Sequence, residues 1–200
     1  MLRFFLLLAL VLSSIQADSK NQNIKDIYQE SYSYENVQKY DEAIKTLAPL
    51  YKQYPKGYTL NLRLAWLSYL SKNYTDSIKY YEIASNTKPY ALDPKTGLIK
   101  IYLDTYSFDK AEIIAYEVLK IDYYNYFANL YIIKALIAQE KYAIAQELTT
   151  KMLLIYPTNI LFLEQLSLVY KHEKSPYLQK LYKDILILDP NNVLARSNLK

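Results

Sequence analysis

Residues 40–55 read YDEAIKTLAPLYKQYP, and the positions that matter in this stretch return along the chain at an interval of 34 residues. An aromatic side chain stands at Tyr40, Tyr74, Phe108 and Tyr142, and a small residue follows three places later at Ala43, Ser77, Ala111 and Ala145. Proline closes the unit at Pro55, Pro89 and Pro157, with Tyr123 in its place once. One supersecondary unit cannot bury its own apolar face, so a fixed period of this length marks a stacked array of units rather than a compact globule. The units are helical. Only two glycines occur, Gly57 and Gly97, and short polar intervals such as Ser71–Asn73 and Gln139–Lys141 have the length of αα-hairpin turns. Asp93-Pro94 and Ser175-Pro176 read as helix starts, a capping side chain followed by proline at the first helical position.

The pattern resembles the tetratricopeptide repeat, in which two antiparallel helices, A and B, make each unit. The resemblance implies an all-α fold, an α-solenoid whose units stack into a right-handed superhelix with a concave groove. On this ruler the units run 24–57, 58–91, 92–125 and 126–159, a degenerate fifth fills 160–192, and 193–200 is a C-terminal capping segment with Leu199 at the seventh position of a further helix A. The eighth-position glycine of the family is replaced by Ser31, Ala65, Ile99, Ile133 and Ser167, and its fourth-position tryptophan is absent from every unit.

Each unit makes steric sense. The eighth residue of helix A is expected to face the twentieth residue of the unit, on helix B, and one partner of each pair is small: Ser31 with Ala43, Ala65 with Ser77, Ile99 with Ala111, Ile133 with Ala145. Leu64, Leu98, Ile132 and Leu166 at position seven, with Leu50, Ala84, Val118 and Met152 at position 27, fall at helical spacing and are the expected core. Glu30 breaks that row in the first unit, as a terminal repeat would. Tyrosine, 24 of 200 residues, has only a moderate helix propensity, so its abundance calls for packing or recognition.

Residues 1–17, MLRFFLLLALVLSSIQA, carry one cation at Arg3, an apolar run from Phe4 to Leu12 and a small residue at Ala17. That is the layout of a secretory signal peptide cut after Ala17. As a helix the apolar run rises only about 14 Å, roughly half a bilayer core. The mature chain, 18–200, is then expected in a bacterial periplasm or outside the cell. The chain has no cysteine, hence no disulfide framework and no lipid attachment site.

Charge and chemistry exclude more than they name. The formal net charge is +4, spread without a basic block, whereas nucleic-acid binding requires a concentrated cationic stripe. His172 is the single histidine; no second one stands at metal-ligand spacing, and it reads as a solvated surface residue. Asp41 and Glu42 open a helix, where they favour its dipole. No glycine-flanked serine, phosphate loop or dinucleotide motif is present. Neither enzymatic activity, nor a metal, nor a cofactor is expected.

The resemblance implies a binding groove lined by helix A. Tyr28 and Tyr32, then Arg63, Trp66 and Tyr69, then Lys100, then Tyr131 and Lys134 fall at the groove positions. Aromatic and cationic side chains dominate interface energetics, although each tyrosine could instead pack against the next unit. The carboxylate clamp with which the family grips chaperone tails is not matched: Tyr28 and Tyr32 stand there in the first unit, Leu62 and Trp66 in the second. The function expected is that of a scaffold holding an extended peptide or protein segment in an aromatic and basic groove. Helical repeats of this kind in resembling proteins stand before outer-membrane barrels or exporters, which makes an outer-membrane assembly or export complex a candidate partner. The alternative is an accessory of polysaccharide handling whose tyrosines contact glycan.

Overall fold

The structure, a computed structural model, describes residues 23–199. The expected signal peptide and its cut after Ala17 lie outside the described residues. Among those described, every regular element is a helix. Helix α1 covers 23–36, followed by α2 (Tyr40–Gln53), α3 (Tyr58–Leu70) and α4 (Tyr74–Thr87). Then come α5 (Asp93–Asp104), α6 (Phe108–Ile121), α7 (Tyr126–Ala138), α8 (Tyr142–Ile155), α9 (Ile160–His172), α10 (Leu178–Leu188) and α11 (Val193–Asn198). Odd and even helices are the A and B members of successive repeats, an all-α helical-repeat solenoid. The chain divides into two compact units, Met1–Pro89 and Tyr90–Lys200.

The turn from A to B is built identically five times, and not with glycine. Gln38, Lys72, Tyr106, Glu140 and Lys174 have φ between 54° and 61°, so each holds the left-handed conformation that closes a Schellman motif. The residue after each sends its N–H back to the helix A carbonyl five places earlier: Lys39 to Tyr34, Asn73 to Ser68, Ser107 to Tyr102, Lys141 to Leu136 and Ser175 to Tyr170, at 2.7–2.9 Å. The turn from B to A also repeats. Asn125, Asn159 and Asn192 cap α7, α9 and α11, their side-chain oxygens accepting from the N–H groups of Ala128, Phe162 and Ala195.

Two expected helix starts are displaced. Asp93 is the first residue of α5 and Leu92 takes the cap position, because Pro94 needs no N–H partner and fits the first turn directly. Helix α10 begins at Leu178; Ser175 caps the preceding turn, its hydroxyl oxygen accepting from the Tyr177 N–H at 3.3 Å.

All four eighth-to-twentieth pairs are fully buried, and in the second the Ser77 hydroxyl donates to the Ala65 carbonyl at 2.7 Å. In the first unit Ala43, Leu47, Leu50, Leu60, Leu64 and Leu67 form the core, with Tyr28, Tyr34, Tyr40, Tyr51 and Tyr80 packed around it. In the second unit α7, YFANLYIIKALIA, packs against α5, α6, α8 and α9. Its near-continuous apolar character follows from that central place, since a helix covered on several sides needs no polar face.

Position four of two repeats carries a different device. Asn61 and Asn129, fully buried, stand 68 residues apart at the same place in their repeats. Each amide donates twice to the turn before its own helix: Asn61 to the carbonyls of Pro55 and Gly57 at 3.0 and 2.8 Å, Asn129 to those of Tyr123 and Asn125 at 3.1 and 2.9 Å. These side chains lock the B-to-A turn onto the helix it precedes.

Candidate functional site

Helix periodicity brings Tyr28, Tyr32 and Glu35 onto one face of α1, and Arg63, Trp66 and Tyr69, each three residues apart, onto one face of α3. The two faces meet in the first unit. Glu35 is the hinge of the arrangement: its Oε2 takes an N–H from Arg63 Nη1, and its Oε1 accepts the Trp66 indole N–H at 2.7 Å. Arg63 Nη2 donates to the Ser31 hydroxyl at 3.2 Å, and its guanidinium carbon lies 3.7 Å from the centre of the Tyr32 ring. The arginine side chain is only 6% exposed and that of Glu35 20%. A guanidinium buried to this degree needs acceptors and a counter-charge; carboxylate, hydroxyl and π face serve its Nη groups and its charge, while the buried Nε has no partner.

Over this buried pair lies an aromatic surface. Trp66 is 37% exposed and Tyr32 51%. Trp66 stacks on Tyr69 with ring centres 5.6 Å apart and planes 22° from parallel, and Tyr69 continues to Tyr74 at 6.0 Å. Tyr28 sits deeper, where burial pushes its phenol above the usual range, Tyr32 adds to the rise and Arg63 opposes it. The indole is therefore held in one orientation by its N–H while part of its ring faces solvent.

The remaining predicted residues belong to the second unit. Tyr131 of α7 is half-buried against Phe127, ring centres 6.1 Å apart. Burial raises its phenol, Lys100 of α5 counters that rise, and Asp104 and Tyr126 reinforce it. Lys100 and Lys134 are both partly buried. Thus five of the eight residues, Tyr28, Tyr32, Arg63, Trp66 and Tyr69, are gathered in one assembly, and Lys100, Tyr131 and Lys134 belong to a separate unit.

Sequence reading placed Arg63 as a groove-lining cation; the structure buries it and neutralises it. Glu35 was missed, although it occupies the twelfth position of helix A, one of those that face the groove. Also unforeseen was a cation–π contact in the second unit, Lys151 Nζ 3.2 Å from the Tyr123 ring centre and 5.2 Å from that of Tyr124. His172 is exposed and stacked on Tyr142, ring centres 3.6 Å apart. Among the described residues no group of three or more His, Cys, Asp or Glu is placed to hold a metal ion, and no helix is long and apolar enough to cross a membrane. An open cleft of about 540 Å³ lies between the ends of α2 and α4, against Tyr51, Ile83 and Asn86, away from the aromatic assembly.

Comparison with known proteins places the fold. YrrB, described as a TPR protein with an unusual peptide-binding site, superposes with a TM-score of 0.71 at 10% identity over 92% of this chain and 95% of its own. A tetratricopeptide repeat protein from Parabacteroides merdae gives 0.79 at 13% identity, over 88% and 70% of the two chains. A thermophilic TPR protein from Thermus thermophilus gives 0.65 at 12% identity, over 86% and 95%. No protein-family model matches the chain, and no curated protein matches its sequence. At these identities the likeness is one of fold: the chain has the tetratricopeptide-repeat architecture.

Proposed function

We propose that the chain is a non-enzymatic scaffold that holds an extended peptide or protein segment on the helix A face of its repeats, with the aromatic assembly of the first unit as its anchor. The observation that carries this reading is Trp66. A lone tryptophan in the chain is part-exposed, stacked on Tyr69 and oriented by Glu35, whereas folding alone would favour sealing so large an apolar surface. Pre-oriented aromatic rings of this kind are the usual anchors of protein interfaces. The architecture shared with YrrB, a TPR protein with a peptide-binding site by its description, supports the same reading. The Arg3, Phe4–Leu12 and Ala17 layout supports an extracytoplasmic setting; the repeat resemblance is the ground for proposing an envelope complex of outer-membrane assembly or export.

The test compares wild type and Trp66→Ala as baits in envelope extracts, with captured partners then titrated individually. Trp66→Ala is expected to weaken the partner by about 2 kcal/mol, with the melting temperature little changed. Loss of the fold without a specific binding defect would make Trp66 a packing residue and end the proposal.

A further inference from the structure

The first unit's assembly, taken as the binding surface proposed above, has an electrostatic polarity that the sequence alone does not disclose. Its charge pair is layered. Arg63 is the inner member, 6% exposed and roofed by Tyr32; Glu35 is the outer member, 20% exposed. Helix α3, TLNLRLAWLSYL after Tyr58, contains no other charged residue. On α1, Lys25 lies seven residues before Tyr32, about 10 Å along the helix.

Hydrogen-bond capacity points the same way. The indole N–H, the donor that an acidic partner would seek, is already given to Glu35 Oε1. Each carboxylate oxygen accepts one bond from Arg63 or Trp66, whereas a carboxylate offers about four acceptor sites. The Glu35 edge exposed beside Trp66 can therefore still accept, and the indole N–H is no longer available as a donor. The ring faces of Trp66, Tyr69 and Tyr32 carry the negative side of their quadrupoles; Tyr32 gives one face to Arg63 and Trp66 and Tyr69 give one to each other, which leaves the opposite face of each ring for a ligand cation.

We infer that the segment bound by the first unit is recognised through a basic side chain, a lysine or arginine laid over the Trp66 and Tyr69 rings with its charged head at the Glu35 carboxylate. This reverses the acidic partner that counting cations along the groove positions would choose. Glu35 acts here in two ways, as the acceptor of the ligand cation and as the group that orients the indole.

The test uses the intact chain and the emission of its single tryptophan, titrated with three twelve-residue peptides: a Gly/Ser peptide with four Arg, one with four Glu, and a neutral proline-rich one. The arginine peptide is expected to change Trp66 emission saturably and to bind several-fold more weakly at 300 than at 50 mM salt. Tyr69→Leu, which removes one ring and leaves the buried charge pair intact, should weaken it about tenfold. Glu35→Gln should weaken it at least as much and erase most of the salt dependence. Tighter binding of the glutamate or proline-rich peptide at Trp66 would overturn the basic class and leave the site standing. If none of the three changes Trp66 emission at millimolar concentration, both the class and the site are refuted.

Discussion

Glu35→Ala isolates what the Arg63 burial is worth to the fold. The substitution leaves the guanidinium with the Ser31 hydroxyl at 3.2 Å and the Tyr32 ring at 3.7 Å, and removes its counter-charge. Taking away one partner of a buried pair costs about 3–5 kcal/mol. Because the Glu35 side chain is 20% exposed, water reaches that edge and the low end, about 3 kcal/mol, is the appropriate figure. With a urea slope of about 1.5 kcal/mol/M the unfolding midpoint of the first unit should fall by about 2 M. Urea unfolding is to be followed by Trp66 emission and by circular dichroism together, since loss of Glu35 also alters the indole's surroundings directly. Arg63→Met alone should cost less than about 1.5 kcal/mol, because the carboxylate left behind is part-solvated and keeps the indole N–H. The double variant should recover about 2 kcal/mol of the Glu35→Ala loss. A cost below about 0.5 kcal/mol for Glu35→Ala, the worth of an exposed pair, would refute the claim that Arg63 is a buried charge held by Glu35.

Two further outcomes follow from the repeats and one from the N-terminal sequence. Asn129→Ala strips the Tyr123 and Asn125 carbonyls of their side-chain donor but also removes the buried, unpartnered Asn129 Oδ1, so it should cost about 1 kcal/mol in urea unfolding; a neutral or stabilising result would show that the amide does not lock the turn. Lys72→Gly should raise the melting temperature by about 2 °C, because relief of the left-handed strain, roughly 1–2 kcal/mol, exceeds the added chain entropy of about 0.4–1 kcal/mol; a lower melting temperature would show that the lysine makes a compensating contact. Intact mass of the protein from an envelope fraction should correspond to a chain beginning at Asp18, and recovery of the full-length chain from cytoplasm would overturn the extracytoplasmic proposal.

Periodicity was sufficient for the fold because it is a local property repeated. The aromatic at Tyr40, Tyr74, Phe108 and Tyr142, each the first residue of a helix B, and the small residue three places later follow from one steric demand made once per repeat. The eighth-to-twentieth pairs could be matched from spacing alone, since ridge and groove between two adjacent helices depend on residue volume. The A-to-B turns were less legible. Left-handed residues announce themselves when they are glycine, and here they are Gln38, Lys72, Tyr106, Glu140 and Lys174, whose conformation is imposed by the Schellman bonds around them.

The candidate site divides along the same line. That Tyr32, Trp66 and Tyr69 belong to helix A faces was readable from the sequence, because position along a helix sets azimuth. Whether a cation on such a face meets a ligand or a counter-charge was not. Glu35 and Arg63 are 28 residues apart and on different helices, so their pairing depends on how α1 and α3 rest on each other. Desolvation then decides the outcome: an arginine that close to the interhelical seam is stable there only with its charge matched. Tertiary packing therefore took a residue read as part of a basic groove and made it the buried support of an aromatic surface whose exposed edge is a carboxylate.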